Sequence, residues 1–336
     1  MDALEHHVRA LAYLDGRRVG MPGHERARRY LLEEMKAIGV APFYNGRLEH
    51  SYAAGGLTFT NIVGRIPGSR PGGGRPILLG AHYDSVIDAP CADDNLAAVA
   101  VVMEVARAVR ESPLEADLLA AFFDAEEPPH FLGPNMGSIR FYEEHLQAVG
   151  VACAVILDLV GHDVESRFPL AADLEQRIAK LLFITGSESH AALPGVVETA
   201  AARTPGLGIV PTIHDYVGDM SDHHIFRKHG QSFLFLSCGQ GRNYHSAEDT
   251  PEWLNFEKLA HVSSFVRELV RGMDTPSQAR AGRVDTTQFE IRMLERALGA
   301  RREVLADLLG LPQIETREDL TSVVQVLSSV LQVWAR

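Results

Sequence analysis

Short apolar runs alternate with amphipathic stretches along most of this sequence. The runs are bounded by Gly, Pro or charged residues, which is typical of buried strands, and the stretches between them have the three- and four-residue spacing of helices. The predicted strands are 57–63, 77–81, 118–123, 151–157, 207–210 and 232–236. Because strands separated by helices pair in parallel under two helical layers, the pattern predicts an α/β fold: a three-layer α/β/α arrangement with a central, mostly parallel mixed sheet.

The predicted helices set the domain organisation. They span residues 4–14, 25–38, 95–110, 138–149, 174–183, 221–228 and 256–273. The α/β rhythm keeps its character up to residue 273, and Pro, Ser, Gly and Ala then interrupt it over residues 274–285. We therefore expect one α/β domain over residues 1–273 and a helical C-terminal extension over residues 274–336.

An amphipathic stripe lies in this extension. We expect it to pack on the main domain, and the alternative is a subunit contact in a homo-oligomer formed through the C-terminal helices. The residues of the stripe are Leu320, Val323, Val324, Leu327, Val330, Leu331 and Trp334.

The charge balance limits the classes of partner. The sequence holds 32 Lys and Arg against 44 Asp and Glu, a formal net charge of −12, whereas nucleic-acid binding needs clustered cations. No apolar run approaches the roughly 20 residues of a membrane span, and no basic-then-apolar segment stands at the start. The three cysteines have no spacing typical of a disulfide framework. We therefore expect a cytoplasmic protein that binds neither nucleic acid nor membranes.

Acids and histidines follow several of the predicted strands. His82 and Asp84 can lie side by side, because residues i and i+2 of an extended segment point to one face. They form either an ordinary hydrogen-bonded pair or a metal-bound imidazole with the carboxylate that orients it. Asp93 and Asp94 directly precede a predicted helix, where one acid serves as a cap. A cap needs one side chain, so the second carboxylate favours a cation.

Two further strand ends carry acids. Glu126 and Glu127 are either solvated loop acids or a pair in which one binds a metal and the other moves a proton. Asp158 is an isolated carboxylate in an apolar run, where burial of an unpaired charge is costly, so it needs a partner such as a metal. His245 follows the last strand, but it is one of 15 histidines, and spacing alone does not choose among them.

Six short motifs occur in order along the chain: H-Y-D-S, A-D-D-N, F-F-D-A-E-E, L-D-L-V-G, S-D-H-H-I-F and Y-H-S-A-E-D-T. In this order they resemble the co-catalytic zinc aminopeptidases, the exopeptidase family that includes bacterial leucine aminopeptidases. The resemblance covers roughly residues 5–272. It implies hydrolysis of the first residue of a peptide with a free N-terminus, by a hydroxide that bridges two zinc ions.

The resemblance also implies a role for individual residues. Five side chains would hold the two zinc ions: His82 and Asp158 one ion, Glu127 and His245 the other, and Asp94 both. Glu126 would be the general base, Asp84 would orient His82, and Tyr244 would donate a hydrogen bond to the transition state. Family members often have a cis peptide after the bridging Asp, so we expect an unusual backbone after Asp94.

One loop departs from the family pattern. Residues 128–136 separate the paired glutamates from Gly137-Ser138, and this longer loop resembles the related glutaminyl cyclases, which bind one zinc and cyclise an N-terminal glutamine. A cyclase is therefore the alternative function, although A-D-D-N and Y-H-S-A-E-D-T favour a peptidase. A non-catalytic binding protein is disfavoured because every ligand position and the base are present. The loop should rim the substrate pocket, where Phe131 and Leu132 would favour apolar first residues.

Overall fold

A nine-stranded mixed sheet forms the centre of this computed structural model, which describes residues 3–70, 74–274, 282–300, 303, 306–307, 310–331 and 333. The strands are β1 (Ala41–Pro42), β2 (Glu49–Ala54), β3 (Leu57–Ile66), β4 (Ile77–His82), β5 (Leu118–Phe123), β6 (Cys153–Leu157), β7 (Leu181–Thr185), β8 (Gly208–Thr212) and β9 (Phe233–Ser237). Their spatial order is β1-β3-β5-β4-β6-β9-β7-β8, and β2 pairs with β3. The central strands β5, β4, β6 and β9 are mutually parallel, whereas β3 and β7 run antiparallel to their neighbours β5 and β9. The predicted α/β class with a mixed, mostly parallel sheet is confirmed.

Helices cover both faces of the sheet. They are α1 (Ala3–Leu11), α2 (Pro22–Ile38), α3 (Ala97–Glu111), α4 (Gly137–Phe141), α5 (Ala172–Ala179), α6 (Leu193–Arg203), α7 (His214–Val217), α8 (His223–Lys228), α9 (Phe256–Met273), α10 (Thr287–Leu298) and α11 (Arg317–Leu331). The larger core lies under α1, α2, α3, α6, α9, α10 and α11, and the smaller one lies under α4 and α8. None of the described helices is long and apolar enough to cross a membrane.

Strand β4 shows why the central strands are apolar throughout. Its alternate residues Ile77, Leu79 and Ala81 belong to the larger core, and Leu78 belongs to the smaller one. A strand that is buried on both faces has no polar side to present, so the period-two pattern of a half-exposed strand is absent. At Gly80 a Cβ would lie 2.8 Å from the Phe123 ring, so the glycine permits close packing at this point.

The prediction of a helix over residues 174–183 is wrong in its second half. Helix α5 ends at Ala179, and residues 181–185 form β7, which pairs with β8 and β9. All five residues of β7 are buried. A short, continuous apolar run fits a buried strand as well as a buried helix, and the contacts with β8 and β9 decide between the two.

The C-terminal helices pack on the main domain. Leu320, Val323 and Leu331 of the predicted stripe are buried in the larger core, and Leu327 and Val330 pack against it. Trp334 and residues 275–281 of the predicted boundary lie outside the described residues. The division into two domains and the homo-oligomer contact stay predictions.

Candidate metal centre

The candidate site lies at the carboxyl ends of the central parallel strands. His82 is the last residue of β4, Asp158 follows β6 directly, and Glu126 and Glu127 lie just beyond β5. His245 is in the loop after β9. In a parallel sheet these ends share one edge, which is where such folds place their ligand sites. The strand order therefore brings together side chains that are far apart in the sequence.

Two triads of ligand-type side chains share Asp94. His82 Nε2 lies 3.2 Å from Asp94 Oδ1 and 3.6 Å from Asp158 Oδ1. His245 Nε2 lies 3.2 Å from Asp94 Oδ2 and 3.3 Å from Glu127 Oε2. In each triad the ligand atoms lie within 4.8 Å of one another. The structure thus brings together all five predicted ligands, and the two oxygens of Asp94 face different histidines.

The three other predicted site residues lie beside these triads. Asp84 Oδ1 is 3.4 Å from His82 Nδ1, and the Asp84 carboxylate accepts the backbone N–H groups of Glu126 and Glu127 at 3.1 Å each. The buried Glu126 has its Oε2 3.9 Å from His82 Nε2. The Tyr244 ring stacks on His245, with 3.7 Å between centroids. Asp84 therefore contacts a histidine and both glutamates, while the catalytic roles of all three residues stay predictions.

The electrostatics of the site show an excess of buried acid. Burial raises the pKa of Glu126 well above its usual range and that of Glu127 to about 8. Burial lowers the pKa of His245, but Asp94 and Glu127 beside it outweigh this and raise it to about 10. In the absence of a cation the site would therefore hold extra protons to balance its carboxylates. Bound cations would balance the same charge without those protons.

The unpaired atoms of the site fit a metal. His82 Nδ1 and Nε2, Glu127 Oε1, Asp158 Oδ1 and His245 Nε2 are buried and have no hydrogen-bond partner among the described residues. Buried polar atoms are normally paired, so each of these needs an explanation. A donor set of two imidazoles and three carboxylates suits zinc. The residues present therefore fit the zinc that the sequence predicts.

Two other groups of ligand-type side chains already have partners. They are His50, Glu144 and His145, and His214, Asp219 and His223. In the first, Asn61 Nδ2 lies 3.2 Å from His50 Nδ1, which leaves the His50 Nε2–H to donate to Glu144 at 2.7 Å. In the second, Arg227 donates to both oxygens of Asp219, at 2.7 Å each. These pairings involve only part of each group, since His145 Nε2, His214 Nδ1 and His223 Nδ1 are buried and have no hydrogen-bond partner among the described residues.

The adjacent acids Asp93 and Asp94 contact different groups. The Asp93 carboxylate accepts the Gly161 N–H at 2.7 Å and lies 2.5 Å from His162 Nδ1, outside both triads. Neither acid caps α3, which begins at Ala97. The peptide bond after Asp94 is cis, as the family resemblance implies. Asp93 is thus a buried structural acid, and Asp94 is the one that faces the two histidines.

Two buried residues to which the sequence assigns no role hold the backbone of the turn that contains Asp93 and Asp94, directly before α3. Asp249 accepts the backbone N–H groups of Asp93 and Asp94, at 2.8 and 3.1 Å. The fully buried Arg17 donates to four backbone oxygens, those of Tyr83, Pro90, Cys91 and Asp94, at 2.5–3.3 Å. Asp249 belongs to the Y-H-S-A-E-D-T motif together with His245, so the sequence could have indicated that it lies near the site. Arg17 lies far from every motif, so only the fold reveals its contacts.

Replacing Arg17 with Met should destabilise the protein strongly. The change leaves four buried carbonyl oxygens without their donor, and each unsatisfied buried group costs about 1–3 kcal/mol, so we expect a loss of at least about 3 kcal/mol in the free energy of unfolding. Arg18 is the matched control, because its side chain is 44% exposed and pairs with Asp88 at the surface. Arg18→Met should cost under about 1 kcal/mol. Urea unfolding measures both, and equal losses would contradict the structural role of Arg17.

A cavity with about 600 Å³ of open space adjoins the two triads. Its lining includes the site residues Asp94, Glu126, Glu127, Asp158 and His245. The lining also includes apolar and aromatic side chains, which we call the apolar wall: Phe131, Leu159, Met220, Phe235 and Tyr244. Phe131 therefore lines the cavity, as the loop pattern predicts. Leu132 does not line it and is 38% exposed.

A comparison with protein families identifies the family of this chain. The model of peptidase family M28 matches residues 61–270. The chain belongs to peptidase family M28. The matched residues include every candidate ligand, Glu126 and Tyr244, whereas Arg17 and the helices α10 and α11 lie outside them. The family confirms the resemblance to zinc exopeptidases.

Individual relatives of this M28 chain include both peptidases and cyclases. It is 26% identical over 203 residues to the aminopeptidase YwaD of Bacillus subtilis, covering 58% of this chain and 40% of that protein. It is 26% identical over 190 residues to a glutaminyl-peptide cyclotransferase of Drosophila melanogaster, covering 48% and 52%. The fold is similar to that of a Zn-dependent exopeptidase from Parabacteroides distasonis, with a TM-score of 0.63, 19% identity, and coverage of 80% of this chain and 97% of that one.

These similarities limit the candidate activities. The chain spans between 21% and 65% of the length of four curated relatives that it matches. Because relatives of both kinds match to the same degree, the candidate activities are those of an M28 metallo-exopeptidase and of a glutaminyl cyclase. The choice between them depends on the geometry of the site.

Proposed function

We propose that the chain is an aminopeptidase that removes the N-terminal residue of peptides with the help of two zinc ions. The observation that carries this proposal is the shared carboxylate of Asp94, whose two oxygens each lie 3.2 Å from a different histidine. Two triads that share one bridging acid provide two metal positions, whereas a single-zinc cyclase needs one. Peptides with a free N-terminus are therefore the proposed substrates.

Each side chain of the site has a proposed task. His82 and Asp158 would hold one zinc ion, Glu127 and His245 the other, and Asp94 both. The chemistry that bound zinc would supply is polarisation of the peptide carbonyl and acidification of the attacking water. Glu126 takes the proton of that water and returns it to the leaving amine.

Two residues assist Glu126 and His245 in this proposal. Asp84 fixes the backbone of both glutamates through their N–H groups and faces His82 Nδ1. Its contacts suit the orienting role that we predict. Tyr244 stacks on His245 and lines the cavity, where its hydroxyl would donate a hydrogen bond to the transition state.

Glutaminyl cyclisation is the second candidate function. The observation in its favour is the long loop after Glu127, whose Phe131 lines the cavity. Zinc analysis together with assays of leucyl anilide and a glutaminyl peptide separates the two functions. Two zinc ions per chain with release of the N-terminal residue support the aminopeptidase. One zinc per chain with formation of pyroglutamate would replace it by the cyclase.

We expect the enzyme to prefer leucyl over lysyl anilide. The apolar wall of the cavity favours an apolar first side chain, because an ammonium group there would lose its hydration. A difference of about tenfold or more in kcat/KM is expected, the size typical of apolar pockets. Phe131→Ala should reduce this preference, whereas Leu132→Ala should leave it unchanged, since Leu132 does not line the cavity. A clear preference for lysine would contradict the assignment of the wall as a first-residue pocket.

A further inference from the structure

The last described residues of the C-terminal extension contact the loops that follow β6 and β9. The Val330 carbonyl accepts the backbone N–H of Arg167 at 2.8 Å, and the Val333 carbonyl accepts that of Gln240 at 3.0 Å. Leu331 and Val333 are 3% and 2% exposed. We call residues 330, 331 and 333 the tail contact. Both loops also carry proposed zinc ligands, Asp158 at the start of the first and His245 at the end of the second.

Gly239 shows how closely the tail contact approaches the second loop. Its φ is +85°, and a Cβ built there would lie 2.6 Å from both the Cβ and the carbonyl oxygen of Val333. A side chain at this position would therefore collide with the tail in addition to the backbone strain of a positive φ. The loop and the tail are packed backbone to backbone at this point.

The same loop forms part of the catalytic cavity. Gln240 lines the cavity together with Tyr244 and His245, and its N–H is the group that Val333 accepts. Behind the loop, Leu331, Val333, Trp253 and His162 line a second, smaller cavity, with Gln240 between the two. This loop therefore contacts a segment that lies outside the residues matched by the M28 family.

We infer that the tail contact is a positioning element of the active site, which holds the loop of Gln240 and His245 so that His245 meets Asp94 and Glu127. The inference rests on the proposed two-zinc function. It explains what the C-terminal extension adds to this chain besides core packing. His245 belongs to one triad and His82 to the other, so loss of the tail contact should weaken one zinc ion selectively.

Two shortened chains test this inference. One ends at Leu331 and lacks Val333, and its matched control ends at Val333. In the chain that ends at Leu331 we expect the affinity for one zinc ion to fall about 10- to 100-fold, as when an outer support of a metal ligand is lost, while the other ion is unaffected. Chelator competition measures both affinities. Hydrogen exchange of the amides of residues 238–245 should also become faster, and the control should match the full chain.

Each outcome has a defined meaning. Equal zinc affinities and equal exchange in the two shortened chains would overturn the inference. If the full chain binds fewer than two zinc ions, the proposed function fails, and the exchange rates still decide whether the tail holds the loop. Should the chain that ends at Leu331 not fold, Val333→Asp in the full chain displaces the same segment by burying a carboxylate. Unchanged exchange of residues 238–245 in that variant would also overturn the inference.

Discussion

Replacing Glu126 with Gln is expected to lower kcat by about 10²–10⁴ while zinc remains bound, because the amide keeps the shape of the side chain but does not accept the proton of the attacking water. Glu126 is buried beside His82 and lines the catalytic cavity. Its N–H is held by Asp84, so the variant should keep the backbone of the paired glutamates. Steady-state kinetics with leucyl anilide, together with zinc analysis of the same preparation, measures the effect.

The zinc analysis is needed because Glu126 is also within reach of a metal. A third group of ligand-type side chains consists of His82, Glu126 and Glu127. If Glu126 were a ligand, its replacement would remove zinc along with activity. Glu127→Gln is the matched control, since it makes the same change one residue later and should lose zinc. An unchanged kcat, or zinc loss in Glu126→Gln equal to that of Glu127→Gln, would exclude Glu126 as the base.

The sequence predicts the parts of the fold that local patterns determine. The strand 118–123 and the helix 256–273 have the predicted bounds, because each is a long or continuous apolar pattern flanked by aspartate or asparagine. Strand β7 is missed because its apolar residues, four of its five, fit a helix as well, and what makes it a strand is its pairing with β8 and β9, which lie elsewhere in the chain. Local patterns describe a segment, whereas these pairings depend on distant residues.

The candidate site shows the same limit. The motifs at the strand ends identify the ligand-type residues, and the family resemblance assigns their proposed partners. Sequence spacing does not decide between Asp93 and Asp94. That choice depends on His162 and Gly161, which occupy the Asp93 carboxylate and leave Asp94 to face the histidines. Arg17 shows this limit more clearly. It lies between α1 and α2, whereas the backbone oxygens to which it donates lie after β4, so no local pattern predicts these contacts.

Replacing Asp94 with Asn should disrupt both proposed zinc positions at once. The change removes the charge that both histidines face and turns one of the two oxygens into an NH₂ group, which does not bind a cation. Loss of a direct, shared ligand should cost more than the about 10- to 100-fold in zinc affinity that follows loss of an outer-shell partner. Activity should fall together with zinc content. Metal analysis after dialysis, with kcat/KM on leucyl anilide, measures both.

Asp93→Asn is the matched control, because Asp93 and Asp94 are adjacent and both are 3% exposed. Its carboxylate is held by Gly161 and His162 rather than by the triads, so the variant should lose about 1–3 kcal/mol of unfolding free energy and keep its zinc. If Asp93→Asn loses as much zinc as Asp94→Asn, the loss comes from distortion of their shared turn. If Asp94→Asn keeps two zinc ions, Asp94 does not bridge them, and the observation that supports a two-zinc aminopeptidase over a cyclase is lost.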